Sequence, residues 1–210
     1  EEKFPVAQMI QNLKLVDISL GGPVFDTDKL RWLNGRYIRE DYGTEGLCDL
    51  LEKWALRREK FLQIAPLVQP RLETLADWGP LTMPFFADDV APAAEDLKIK
   101  GREPDEVKDV LQMVVWRLEQ QRDFTAPALD ALLRETAEKL DLKLRQLLAP
   151  LFVALSGRTS WTPLFDSMEI LGPDLVRMRI RRAIDALGGL SSKKLKGVEK
   201  QYAELFGRPD

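Results

Sequence analysis

Residues 103–118 read EPDEVKDVLQMVVWRL and carry the clearest secondary-structure signal of this 210-residue chain. They open with Glu103-Pro104-Asp105, a helix start with proline at the first helical position. The apolar residues then recur at intervals of three and four, the period of one helix face. These residues are Val107, Val110, Leu111, Val114, Val115 and Leu118. The spacing predicts an amphipathic α-helix with one buried face.

The same helical pattern continues on both sides of that segment. Further helices are predicted at residues 5–13, 29–40, 44–54, 58–77, 128–140, 142–155, 163–171, 174–187 and 191–206. The run 58–77 should bend or break near Pro66 and Pro70. Residues 79–92 are predicted to be an ordered loop that buries Phe85 and Phe86. Apart from one short extended candidate at residues 18–24, no segment alternates as a strand must, so the predicted fold class is all-α.

Composition favours a globular chain with a real core. Hydrophobic residues make up 45% and charged residues 31% of the sequence, with a net charge of −3. No apolar run approaches the ~18 residues of a membrane span. The single Cys48 fits a reducing compartment, and Glu1-Glu2-Lys3 resembles no signal peptide and lacks an initiator Met, as in a fragment or a processed chain. Boundaries near Gly43 and Asp123 predict three parts: a connector at 1–43 and helical subdomains at 44–123 and 124–210.

Histidine is absent from the chain, and cysteine occurs once. A zinc site and the Ser-His-Asp or Cys-His catalytic sets therefore cannot be built within it. No glycine-rich phosphate loop is present either. We accordingly predict no catalytic residue, no metal ligand and no cofactor in this chain. These absences favour a binding module over an independent enzyme.

The first candidate binding segment is the helix at residues 29–39. Its cations, Lys29, Arg31, Arg36 and Arg39, fall partly outside the apolar face and would suit phosphates. The alternative is an amphipathic helix with solvated cations. Asn34-Gly35 is a poor mid-helix pair, since Gly costs ~1 kcal/mol there relative to Ala. Some group is therefore expected to approach the backbone closely at this point.

Two further candidates lie at helix breaks. Arg71 follows Pro70, where a planar guanidinium can project; the alternative is an ion pair with Glu73 that stabilises the bend. Between two predicted helices, a polar loop holds Arg158, Thr159 and Trp161. Unpaired bases are bound by such hydrogen-bond donors together with aromatic stacking. The alternative for Trp161 is a plug in the protein core.

A fourth candidate is the arginine-rich helix at residues 174–187. Its buried stripe is assigned to Val176, Ile180, Ala183, Ile184 and Leu187. Arg177, Arg179, Arg181 and Arg182 are then expected on its flanks and outer face. Together with Arg158 they would form a basic surface, with acidic groups such as Asp88-Asp89 placed elsewhere. Segregation of this kind is what a nucleic-acid surface needs.

Three segments carry a family resemblance. Residues 18–40, ISLGGPVFDTDKLRWLNGRYIRE, resemble bacterial glutamyl-tRNA synthetases at the junction after their signature lysine loop. Residues 154–159, ALSGRT, and 163–172, PLFDSMEILG, are similar to the C-terminal anticodon-binding domain of that family. Residues 67–75, LVQPRLETL, look like its arginine-bearing helix. The resemblance covers nearly the whole chain, weakens over 81–101, and leaves 188–210 beyond the usual family end.

The resemblance implies a specific division of labour. The family's enzyme attaches glutamate to tRNA with ATP and Mg²⁺ in a catalytic domain whose HIGH-like and KMSKS-like motifs are missing here. This chain would then be the tRNA-binding part, inactive alone, composed of a stem-contact segment and two helical anticodon-binding subdomains. The implied partners are glutamate tRNA and the missing catalytic domain, with no membrane. A cytoplasmic monomer is expected. The alternative is a helical protein–protein interaction domain, supported by the acidic charge balance and the amphipathic last helix.

The resemblance also assigns roles to individual residues. Lys29, Arg31, Asn34 and Arg36 would contact the tRNA stem. Arg158 and Thr159 would contact anticodon bases, Trp161 would stack on one, and Leu164 would pack beside a splayed base. Arg71 matches the arginine of family members that accept glutamate tRNA and reject glutamine tRNA, whose anticodons differ in the third base.

Overall fold

The computed structural model describes residues 3–4, 6–14, 21 and 26–207. The chain divides into two compact units, Glu1–Arg58 and Glu59–Asp210. All regular secondary structure in the described residues is helical, which confirms the predicted all-α fold class. The division into residues 1–43, 44–123 and 124–210 stays a prediction, because contacts alone do not assign functional parts. The extended candidate at 18–24 lies outside the described residues except for Gly21.

The first unit consists of α1 (Val6–Asn12), α2 (Thr27–Asp41) and α3 (Thr44–Trp54). Asp26 begins α2 as its N-cap, and its carboxylate accepts a hydrogen bond from the Lys29 backbone N–H at 2.9 Å. The mid-helix glycine has a local explanation. A Cβ on Gly35 would lie 2.9 Å from the Arg39 Nη1, so this glycine leaves room for the Arg39 side chain.

The second unit contains the remaining helices. These are α4 (Arg58–Val68, starting at the last residue of the first unit), α5 (Trp78–Phe86), α6 (Pro104–Gln120), α7 (Ala126–Lys139), α8 (Leu144–Ser156), α9 (Leu164–Leu171), α10 (Pro173–Ala186) and α11 (Ser192–Phe206). Short 3₁₀ turns lie at Gln69–Arg71, Leu75–Asp77 and Ala94–Asp96. The break predicted near Pro70 is confirmed, since α4 ends at Val68 and Pro70 lies in the following 3₁₀ turn, whereas Pro66 lies inside α4 and does not end it.

The main core of the second unit is built on α6. All six apolar residues of its predicted face are buried, and the other buried side chains of this core come from α7, α8, α9 and α10 and from Leu97 and Ile99 in the segment before α6. The last helix, α11, buries Val198 and Tyr202 against Met113 of α6. The middle of the apolar face of α11 is thus covered by its own chain, while Leu195 and Leu205 are exposed. One support for the protein–protein interaction hypothesis is thereby weakened.

A separate apolar cluster forms beside the main core, and we call it the second cluster. Its buried members are Ile64 and Val68 of α4, Phe85 of α5, and Trp161 from the segment before α9. Leu67, Leu81 and Ile170 pack around them among other partly buried residues. This cluster ties α4 and α5 to the start of α9, although these elements are far apart in sequence.

The loop predicted at residues 79–92 is wrong over its first half. Residues Trp78–Phe86 form α5, with Phe85 buried as expected. Pro80 lies in the first turn, where a missing N–H costs no helical hydrogen bond. Pro84 lies inside the helix, and packing of Phe85 in the second cluster outweighs its unfavourable propensity. No helix in the described part of the chain is both long and apolar enough to cross a membrane.

Candidate nucleic-acid interface

The second cluster supports two of the candidate binding segments. Leu67 packs against it, and the backbone oxygen of Leu67 accepts a hydrogen bond from Arg71 Nη1 at 3.0 Å. Trp161 is a buried member of the same cluster and follows directly after Arg158, Thr159 and Ser160 in the chain. One small packed core therefore holds the segment of Arg71 and the turn of Arg158 in the same unit.

Arg71 projects its side chain into solvent from the 3₁₀ turn at Gln69–Arg71. The alternative ion pair with Glu73 does not form, although both residues are described. A guanidinium carries five N–H donors, and the bond to the Leu67 oxygen uses one nitrogen. The position of Arg71 is thus defined while most of its donors still face solvent.

The turn after α8 presents its polar groups on a fixed backbone. Gly157 ends the helix in the left-handed region with φ of 69°. The Ser156 hydroxyl donates to the Phe152 oxygen at 2.7 Å and accepts from the Arg158 N–H at 3.2 Å. Arg158 and Thr159 are exposed just beyond it. The donors predicted for base contacts therefore lie on the surface of an ordered turn.

Trp161 and Leu164 occupy different surroundings from Arg158. Their side chains are 4% and 3% exposed, respectively. The Trp161 ring packs on Phe85 with centroids 4.5 Å apart, and its Nε1–H donates to the Leu81 oxygen at 2.8 Å. The structure therefore favours the core-plug alternative for Trp161. We therefore propose no stacking role for Trp161. Leu164 is also buried, as a member of the main core.

The basic surface expected on α10 is wrong. Arg179 is buried, at 1% exposure. Its neighbours are paired with acids: Arg177 with Asp174 at 2.6 Å, Arg181 with Glu119, and Arg182 with Asp88 at 3.5 Å. The acids expected elsewhere, Asp88-Asp89, lie against Arg182 itself. These pairs place acidic groups among the arginines of α10, so the predicted segregation of positive charge is not observed on this helix.

Sequence reasoning missed the burial of Arg179, although a signal for it existed. Position 179 falls three residues after Val176 and four before Ala183, within the same buried stripe. Placing every arginine on the outside because of its charge overlooks this register. A cation on an apolar face indicates buried acceptors, and these come from distant parts of the chain.

The remaining predicted contacts lie on α2, in the first unit. Lys29, Arg31 and Asn34 are exposed, and Arg36 is half-buried. Arg36 donates from Nε and Nη2 to the Glu40 carboxylate at 2.8 and 3.1 Å, and its guanidinium lies 5.3 Å from the Trp32 ring centroid. Hydrogen bonds lower the pKa of Glu40 to about 2, with the larger effect from Arg36 and a smaller one from Lys3. This acid is therefore ionised at neutral pH.

We expect Arg31→Ala and Arg36→Ala to weaken RNA binding without altering sequence preference. Each change removes one cation from α2, and phosphate contacts contribute a salt-dependent affinity that is blind to base identity. The slope of log affinity against log salt should fall by about 1 for each phosphate that the variant no longer binds. Titrations of several tRNAs across a salt series measure this slope. An effect confined to one anticodon would contradict the assignment of α2 to phosphates.

Comparisons with known proteins match this chain to one family model and to a set of similar sequences. A family model described as an anticodon binding domain matches residues 46–184. The glutamate–tRNA ligase of Cellvibrio japonicus is 42% identical over 205 residues, which are 97% of this chain and 40% of that protein. The glutamate–tRNA ligase of Pseudomonas fluorescens is 42% identical over 199 residues, covering 95% of this chain and 40% of that protein. The chain thus spans about 40% of the length of these relatives.

A solved structure shares the fold. The crystal structure of a glutamate tRNA ligase from Elizabethkingia meningosepticum in complex with its amino acid aligns with a TM-score of 0.57 and 23% identity. The alignment covers 88% of this chain and 37% of that one. The family model spans the second cluster, the Arg71 turn and the Arg158 turn together. On this match, the chain belongs to the anticodon-binding domain family.

Proposed function

We propose that this chain binds the anticodon stem and loop of glutamate tRNA as the RNA-binding part of a glutamate–tRNA ligase. The observation that carries the proposal is the second cluster, which holds two solvent-facing groups of donors, Arg71 and Arg158-Thr159, in one packed unit. Single-stranded loops are recognised by donors of this kind on a rigid support. Membership of the anticodon-binding domain family supports the same conclusion.

The proposal assigns base contacts to residues of the second unit and phosphate contacts to residues of the first. Arg71 supplies a planar set of donors that fits the acceptor edge of a pyrimidine, and Arg158 and Thr159 add donors on a second support. On α2, Lys29, Arg31 and Arg36 supply positive charge for the stem backbone, and Asn34 supplies an amide. Base contacts give specificity in this arrangement, and phosphate contacts give affinity.

Attachment of glutamate to the tRNA with ATP and Mg²⁺ belongs, in this proposal, to a part of the protein outside this chain. The relatives that carry the name glutamate–tRNA ligase are longer than the match, which spans 40% of their length. The proposal places the protein in the cytoplasm as a monomer. The one free thiol, on exposed Cys48, suits a reducing compartment.

A protein–protein interaction domain is the second candidate, and one observation favours it. Leu47, Leu51 and Trp54 form an apolar stripe on α3, and these side chains are exposed within the described residues. Binding through such a stripe would depend weakly on salt, because it buries apolar surface. Binding through phosphates loses ~10³–10⁵ in affinity between 50 and 200 mM salt when six to ten phosphates are contacted.

A gel-shift experiment tests the proposed function directly. The chain is titrated against glutamate tRNA and against a tRNA that differs only in the anticodon, at several salt concentrations. We expect tighter binding to glutamate tRNA and a steep salt dependence for both. Equal affinity for the two tRNAs would remove anticodon recognition from the proposal. No binding to either would leave the interaction domain as the better hypothesis.

A further inference from the structure

Arg179 is a buried cation in the middle of α10. Its side chain is 1% exposed, and burial lowers its pKa to about 10, so the guanidinium is still charged at neutral pH. A buried charge is costly unless hydrogen bonds compensate it. Nη1 donates to the Leu155 oxygen, and Nη2 donates to the Pro84 oxygen at 2.7 Å and to the Ala87 oxygen. The two terminal nitrogens thus bind three backbone oxygens.

These three oxygens belong to the C-terminal ends of two helices. Pro84 and Ala87 lie at the end of α5, and Leu155 is the penultimate residue of α8. The last carbonyls of a helix have no intrahelical partner and carry the negative end of its dipole. Arg179 therefore caps α5 and α8 at once. The planar fork of the guanidinium joins two helix ends that are far apart in sequence.

The loop beyond α5 is packed on the turn beyond α8. Arg182 Nη1 donates to the Asp88 oxygen at 2.8 Å, and a Cβ on Gly157 would lie 2.5 Å from the Val90 oxygen. Ala91 has φ of 43°, an unfavourable backbone conformation for alanine. Strain of this kind persists only where the surroundings hold it in place. The Ala91 N–H donates to the Asp89 carboxylate at 3.1 Å, and Arg179 and Arg182 bind the Ala87 and Asp88 oxygens at the start of the same loop.

We propose that Arg179 is a positioning residue for anticodon recognition. By joining the ends of α5 and α8, it fixes the backbone of the turn at residues 156–160. The donors of Arg158 and Thr159 are then already positioned for the anticodon bases before the RNA binds. The proposal rests on the proposed function and adds the mechanism of preorganisation. Arg179 itself touches no RNA, because it is buried. Its effect is confined to the part of affinity that depends on the anticodon.

Arg179→Lys is the decisive variant. It keeps a positive charge but replaces the fork with one ammonium, which cannot bridge both helix ends in the same geometry. Discrimination is measured as the ratio of dissociation constants for the anticodon-changed tRNA and glutamate tRNA. We expect this ratio to fall about tenfold, while the salt slope stays unchanged. Tryptic cleavage after Arg158 should accelerate, because the turn opens locally more often.

A second variant and a control keep the proposal testable if Arg179→Lys fails to fold. Gly157→Ala leaves Arg179 in place but forces a Cβ against the Val90 oxygen in a left-handed conformation, so it should lower the same ratio. Arg134→Gln removes an exposed cation paired with Asp130 on α7 and should change neither the ratio nor the cleavage rate.

The outcomes separate this proposal from the proposed function. A wild-type chain without tRNA preference overturns the proposed function and the positioning role together. A wild-type chain that discriminates, with both variants retaining the ratio, overturns the positioning role alone. Equal loss of affinity for the two tRNAs in the variants also overturns it, because Arg179 would then support the fold in general. Loss of the ratio with faster cleavage after Arg158 supports it.

Discussion

Replacing Arg71 with glutamine should reduce discrimination between glutamate and glutamine tRNA by about tenfold or more. The anticodons differ in the third base, which is C in the first and G in the second. On the Watson–Crick edge, an all-donor guanidinium matches the carbonyl oxygen and ring nitrogen of cytosine, whereas guanine presents a ring N–H and an amino group there. The larger, mismatched base leaves buried polar groups unpaired, which costs ~1–3 kcal/mol. Dissociation constants for both tRNAs at one salt concentration measure the ratio.

Two companion variants show whether the effect belongs to the guanidinium. Arg71→Lys keeps the charge without the planar fork, so it should retain phosphate-type affinity and lose most of the discrimination. Glu73→Gln changes an exposed neighbour that forms no ion pair with Arg71, and it should leave the ratio unchanged. If Arg71→Gln lowers the affinity for both tRNAs by the same factor, Arg71 does not contact the third base.

Trp161→Ala should destabilise the second unit by about 3–5 kcal/mol, the usual cost of truncating a buried large aromatic side chain. The change removes the ring that packs on Phe85 at 4.5 Å and the Nε1–H hydrogen bond to the Leu81 oxygen. Urea unfolding followed by circular dichroism gives the free energy of unfolding. Trp54→Ala is the matched control, because Trp54 is 58% exposed and should change stability by about 0.5 kcal/mol or less.

Trp161→Phe separates packing from base stacking. Phenylalanine retains most of the apolar volume and an aromatic face, so the remaining loss should come from the missing Nε1–H hydrogen bond to the Leu81 oxygen, ~0.5–1.5 kcal/mol. RNA affinity should stay unchanged in this variant once it is folded. A Trp161→Ala chain with wild-type stability and weakened RNA binding would reverse our conclusion and return the ring to the interface.

Local sequence signals were sufficient for most of the helices. The buried face of α6 follows from the spacing of its apolar residues, and Asp26 and Ser191 cap α2 and α11 where the sequence predicts helix starts. These features depend on neighbours within one or two turns, so periodicity and capping chemistry detect them. The prediction of a loop where the structure has α5 failed because it, too, used only local signals. The prolines and glycine of this helix predict a loop locally, and only distant packing partners make the helix stable.

The types of residue available for RNA contacts were also determined by the sequence alone. Arg71, Arg158 and Thr159 are exposed as expected, since each lies at a helix end whose position the local pattern predicts. Their participation in binding stays a prediction until the tRNA experiments are done. The absence of histidine, with a single cysteine, likewise limits the chemistry within this chain without any reference to its fold.

Only the tertiary structure decided which cations and aromatic rings are accessible to a partner. The sequence places Arg177, Arg179, Arg181 and Arg182 on one helix, yet Arg179 is buried, because its acceptors come from the distant ends of α5 and α8. Trp161 occupies the core for the same reason: Phe85 and Leu81 lie far away in the chain. Periodicity within a helix records which face is buried. It does not record which distant backbone oxygens or rings will meet that face, and those contacts separate a structural side chain from a binding one.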